Sequence, residues 1–190
     1  MPAVPQPSAF ESRCNATYDA LMWALSRPGL PRDLPPFDPD DLPAGLAHPA
    51  HAALIDALID RECTVHCENP ELARHAARSG AAPGTPRTAD HLFLDGLATP
   101  DLLGDLRQGS DLHPEDGATL VLPARLGQGA PLRLSGPGVD GTLDVRLAGL
   151  PEGFWQTRAR IMRYPMGFEV FLTDGARVLG LPRSTRVEVL

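Results

Sequence analysis

The chain has 190 residues, enough to bury a core as one domain, and its 43% hydrophobic and 22% charged content argues against a disordered polymer. Its net charge of -7 supplies no long-range positive field for a nucleic-acid backbone, so any phosphate must be met locally. All 17 basic residues are arginine, and the lack of lysine rules out a Schiff base to pyridoxal phosphate and the lysine of a Gly-x-x-x-x-Gly-Lys phosphate loop.

Apolar runs fall short of the roughly 20 residues a spanning helix needs, and no basic flank leads into an apolar signal segment, so a soluble cytoplasmic protein is expected. Three cysteines cannot all pair, which fits reduced thiols better than a disulfide framework.

Residues 1–7 are Pro-rich and expected to be loose, ahead of a single domain over 8–190. Ser8-Ala9-Phe10-Glu11 matches a capping box, and Phe10, Cys14, Thr17, Tyr18, Leu21 and Leu25 recur at helical spacing until Pro28-Gly29 stops the run. The Pro- and Asp-rich stretch from Leu30 to Leu42 reads as a long solvated loop. A helix over Ala50 to Arg61 and a strand at Cys63 to Cys67 follow. Asn69-Pro70 then caps a helix ending near Gly80. His91 to Leu94 is the next strand, Thr99-Pro100 opens a helix that Gly109 closes, and Thr119 to Leu122 is again strand. Alternation of this kind predicts parallel neighbours covered by helices. Beyond it, Leu132 to Leu134, Leu143 to Leu147, Glu169 to Leu172 and Val178 to Leu181 read as strands with short links, and Pro151 to Arg163 as a helix. The fold class is therefore α/β: a mixed sheet flanked by helices.

Gly136-Pro137-Gly138-Val139-Asp140-Gly141 spells a dinucleotide fingerprint, but Thr142 to Leu147 alternates like a strand where the fingerprint needs a helix, so a glycine-enabled turn is preferred. Cys63, His66 and Cys67 lack the second ligand pair of a zinc site and read as core cysteines on a strand, with no metal expected. His48, His51, His91 and His113 lie near turns or element starts and read as surface or capping histidines.

The anion-binding candidates are Arg183, Ser184 and Thr185. A guanidinium donates two parallel hydrogen bonds to a phosphate, and adjacent hydroxyls add neutral donors. The alternative is a chain turn whose arginine pairs with a carboxylate of this acidic chain or of a partner.

Several segments resemble the PhnH family of phosphonate-degradation proteins. Most specific are Tyr164-Pro165-Met166-Gly167-Phe168-Glu169-Val170-Phe171-Leu172, Gly175, and Val178-Leu179-Gly180-Leu181-Pro182-Arg183-Ser184-Thr185-Arg186-Val187-Glu188-Val189. Leu25-Ser26-Arg27-Pro28-Gly29, Gly117 to Leu122 and Leu132 to Val139 support it in the same order; Leu30 to Asp90 is least characteristic. The resemblance implies a fold like that of pyridoxal-phosphate-dependent transferases without the cofactor. It implies a homodimer that joins PhnG, PhnI and PhnJ subunits in a core complex. The implied activity belongs to that assembly: displacement of adenine from ATP by an alkylphosphonate, giving ribose 1-alkylphosphonate 5-triphosphate. No catalytic residue comes with it. A stand-alone enzyme or binding protein for a phosphorylated ligand is the competing reading.

Overall fold

The computed structural model describes residues 6–37 and 43–190. The expected loose terminus therefore lies outside the described residues except for residues 6 and 7, as do residues 38–42 of the Asp-rich loop. Among the described residues, four α-helices are α1 (Ala9–Ser26), α2 (Pro49–Leu58), α3 (Pro70–Ala77) and α4 (Phe154–Ile161). The same residues form ten strands, β1 (Arg32–Asp33), β2 (Thr64–Cys67), β3 (Ala82–Pro83), β4 (His91–Phe93), β5 (Thr119–Pro123), β6 (Arg125–Ser135), β7 (Leu143–Ala148), β8 (Glu169–Asp174), β9 (Arg177–Leu181) and β10 (Arg186–Val189).

The capping chemistry acts as the sequence predicts at two helices. The Glu11 amide donates to Ser8 Oγ at 3.2 Å, and the Ser8 amide and hydroxyl donate to Glu11 Oε2 at 2.7 and 2.8 Å, which holds the Glu11 carboxyl below its usual range. The Asn69 side chain accepts from the amides of Glu71 and Leu72, with Pro70 in the first turn of α3.

Seven strands form one mixed sheet in the order β1-β9-β8-β5-β4-β2-β3, in which β3, β2, β4, β5 and β8 run parallel and β9 is antiparallel to both neighbours. Period-two alternation sends side chains to two separate cores. Phe93, Val121, Phe171 and Val178 join Leu21, Leu54, Ile55 and Leu72 beneath α1 to α3. Leu92, Leu120, Leu122, Val170, Leu172, Leu179 and Leu181 face the other way. There they pack with Leu132, Leu134 and Leu147 of a second, three-stranded antiparallel sheet, β10-β6-β7, and with Phe154 and Trp155 of α4. Burying each such large apolar side chain contributes about 2 kcal/mol of transfer free energy. Gly180 brings α1 onto β9: a Cβ there would lie 2.7 Å from the Ala24 carbonyl carbon.

Several expectations are corrected. The expected loop from Leu30 contains β1, paired antiparallel with β9, and buries Leu34. Such a two-residue strand has no period of its own and exists through its partner. The helix expected from Thr99 to Gly109 is a 3-10 helix over Pro100–Asp105. It ends at Asp105 and the chain then turns so that Gln108 bridges Gly117. The strand at Leu132 to Leu134 extends back to Arg125, with a register shift between Leu126 and Pro131, and belongs with β7 to the separate sheet. His51 is not a surface or capping residue. It is fully buried, because α2 lays it against the large sheet with its ring 6.0 Å from that of Phe93.

Candidate functional site

The turn between β9 and β10 carries Arg183, Ser184 and Thr185 and is closed by the Thr185 amide donating to the Pro182 carbonyl at 2.9 Å. Here the chain leaves the large sheet for the small one. Arg183 is fixed on three sides. Its amide donates to Glu169 Oε2 at 2.7 Å, its Nε to Glu169 Oε1 at 2.5 Å, and its Nη1 to the Pro114 carbonyl. Glu169 opens β8, next to β9, so the sheet register delivers the carboxylate to the arginine. Gly167 gives the ion pair its space. Its φ is +147°, and a Cβ there would lie 2.4 Å from Met162 Sδ and 3.1 Å from Arg183 Cβ.

Arg158 secures the same turn from below. This α4 residue is only 2% exposed, and its Nη1 and Nη2 donate at 2.9 Å to the carbonyls of Thr185 and Pro182. Its Nε and the Thr185 hydroxyl have no hydrogen-bond partner. Burial lowers the Arg158 pKa to about 10, opposed by the negative charge of Glu169, so the guanidinium remains charged at neutral pH. The sequence reading missed Arg158. Its signal is the spacing of Phe154, Trp155, Arg158 and Met162, which puts an arginine on the apolar face of an amphipathic helix.

Turn, α4 and the polar face of the small sheet enclose a cavity of about 600 Å³ lined by Arg133, Arg158, Arg183 and Arg186, with Glu188 the one carboxylate among the lining residues. That volume falls within the range of small-molecule sites. Arg133 is held in a bidentate pair with Asp144, Nε to Oδ1 at 2.8 Å and Nη2 to Oδ2 at 2.9 Å; this bond raises the arginine's pKa and lowers the carboxyl's. Tyr164, 76% exposed, stands at the cavity rim.

The chain as a whole matches one family. The model of a bacterial phosphonate metabolism protein, PhnH, aligns with residues 8–188, from the α1 cap through β10. The chain belongs to the PhnH family. It is 30% identical to a protein of Stutzerimonas stutzeri named as C-P lyase subunit HtxG, over all of this chain and 95% of that protein. It is 29% identical to the PhnH subunit of alpha-D-ribose 1-methylphosphonate 5-triphosphate synthase of Rhizobium meliloti, over 91% of this chain and 89% of the relative.

Other polar clusters sit apart from this cavity. His75 Nε2 and Asp56 Oδ1 are 2.7 Å apart beside a second cavity of about 430 Å³ among α1 to α3. Cys63 and Cys67 do not come together with His66 as a metal site: His66 Nδ1 bonds the Gly84 carbonyl, Cys63 points to Leu58 and Asp60, and burial raises the Cys67 thiol to about 12. Among the described residues no group of three or more His, Cys, Asp or Glu side chains could hold a metal ion, and no helix is long and apolar enough to cross a membrane.

Proposed function

We propose that this chain is a cytoplasmic subunit of a carbon-phosphorus lyase core assembly, a homodimer that joins PhnG-, PhnI- and PhnJ-type subunits. In that assembly it supports the displacement of adenine from ATP by an alkylphosphonate. A phosphonate oxygen forms a bond to ribose C1′, the bond from C1′ to adenine N9 breaks, and adenine leaves with a proton, giving ribose 1-alkylphosphonate 5-triphosphate. The observation that carries this reading is the family match over residues 8–188, together with a relative named as a subunit of such a synthase.

The segment Arg183 to Thr185 forms the turn that borders the anion site in this reading, supported by its position in the wall of an arginine-lined cavity, with the Arg183 guanidinium itself held by Glu169 and the Pro114 carbonyl. The fold is a cofactor-free version of the pyridoxal-phosphate-dependent transferase architecture. A seven-stranded mixed sheet and a chain without lysine are compatible with it. The test is co-expression with tagged PhnG-, PhnI- and PhnJ-type subunits. The chain should co-purify with them, and adenine release from ATP should require both alkylphosphonate and this chain. Failure to co-purify, or turnover of a phosphorylated substrate by this chain alone, would overturn the proposal.

A further inference from the structure

The polar face of the small sheet is a two-strand ladder. The register pairs Arg186 with Ser135 and Glu188 with Arg133, so these four side chains share the face that lines the cavity. Three of the four lining arginines are already engaged: Arg133 by Asp144, Arg183 by Glu169 and the Pro114 carbonyl, and Arg158 by two carbonyls. Arg186 is exposed and, among the described residues, its side chain makes no hydrogen bond or ion pair. Glu188 lines the cavity, Asp144 and Glu169 pair with Arg133 and Arg183, and the Glu115 carboxyl also feels the charge of Arg183, so it is the unengaged Arg186 and not a surplus of positive charge that marks the site. An anion that enters this cavity therefore finds its available donor in Arg186. Ser135 lies directly across the ladder, and Ser184 is two residues away on the turn.

Donors of this kind suit a tetrahedral oxyanion. A planar guanidinium bonds two oxygens side by side, and hydroxyls approaching from other directions can reach a third, which a flat carboxylate lacks. The remaining wall is apolar and aromatic, formed by Trp155, Met162 and Tyr164. We propose that the cavity binds a compound with a phosphorus oxyanion head, a phosphate ester or a phosphonate. Arg186 anchors the head with Ser135 and Ser184, and an apolar or aromatic body lies against Tyr164 and Met162. The proposal rests on the phosphonate reading in one respect, the choice of phosphorus as the central atom.

The experiment is calorimetric titration of the full isolated chain with phenylphosphonate, methylphosphonate, ATP and benzoate. Wild type should bind phenylphosphonate or ATP saturably; whichever is tighter assigns the head to a phosphonate or to a phosphate ester. Arg186→Gln should weaken that binding at least tenfold with an unchanged melting temperature, while Arg177→Gln, on β9 and outside the cavity, should bind as wild type does. Tyr164→Ala should weaken phenylphosphonate and leave methylphosphonate unaffected. The proposal is overturned by absence of saturable binding to any phosphorus compound, by an Arg186→Gln protein that binds as tightly as wild type, or by benzoate binding as well as phenylphosphonate. Co-purification with the partner subunits is a separate measurement, so failure here leaves the assembly reading standing or falling on its own.

Discussion

On the helical face of the large sheet a buried histidine is neutral; on the opposite face a buried arginine keeps its charge. His51 Nε2 lies 3.1 Å from Thr173 Oγ1, a hydroxyl that also reaches the Leu122 carbonyl at 3.4 Å. Its Nδ1 has no hydrogen-bond partner, and burial, with a smaller push from His48, lowers the pKa to about 3. Arg158 sits as deep, yet its fork meets the Thr185 carbonyl and adds a second donor to the Pro182 carbonyl, which the Thr185 amide already bonds. The same desolvation penalty is resolved by giving up a proton in one case and by capturing backbone dipoles in the other. A group with a low intrinsic pKa can discharge; a guanidinium has to be solvated by the protein.

The comparison is broken most forcefully at Arg158. Arg158→Ala strands the Thr185 carbonyl, takes one of two donors from the Pro182 carbonyl and opens a cavity, and should cost about 3 to 5 kcal/mol in urea unfolding. A loss below 1 kcal/mol would mean that the turn holds without it. For His51 the sign runs with acid. The unfolded chain takes up its proton near pH 6.5 and the folded chain only near pH 3, so stability is lost as pH falls through that interval. By pH 5, while most carboxylates are still ionised, the loss from this group should reach about 2 kcal/mol, and burial lowers His91 in the same direction. His51→Gln should flatten the slope of urea midpoint against pH; an unchanged slope would remove His51 as its cause.

Arg183 tests a case between these two, a charge held by a carboxylate. Arg183→Ala leaves Glu169 with Arg158 as its nearby cation and should cost about 1 to 2 kcal/mol, well below the Arg158 variant. A larger loss than at Arg158 would reverse the ranking of the two arginines. The smallest expected effect is none: pyridoxal phosphate added to the purified protein should give neither an imine band nor a shift in melting temperature. Either signal would contradict the inference from the missing lysine.

How much the sequence reveals follows the range of the interactions. The α1 cap lies within four residues and is legible, and so is Thr119 to Leu122, whose apolar run reflects a strand buried on both faces. β1 and β3 have two residues each, too few to carry a period, and are specified by their partners, β9 at the far end of the chain and β2 on the other side of α3. β10 alternates, but only its ladder to β6, about 50 residues earlier, makes it a strand. At the site, Arg183 with its two hydroxyls is visible as a local cluster of donors. That Glu169 takes its guanidinium, and that Arg186 across from Ser135 does not find such a partner, depends on two sheet registers and cannot be read from neighbouring residues.

The two-residue length of β1 and β3 also decides how the large sheet can meet other molecules. An outer strand of normal length offers a row of unpaired amides and carbonyls to which a foreign strand can add, the route by which sheets propagate into fibrils. Here each border supplies a pair of residues, and Pro83 in β3 has no amide hydrogen to give. The large sheet is thus capped against lateral growth on both sides, and anything that docks along those borders must be recognised by side chains instead of by extension of the backbone ladder.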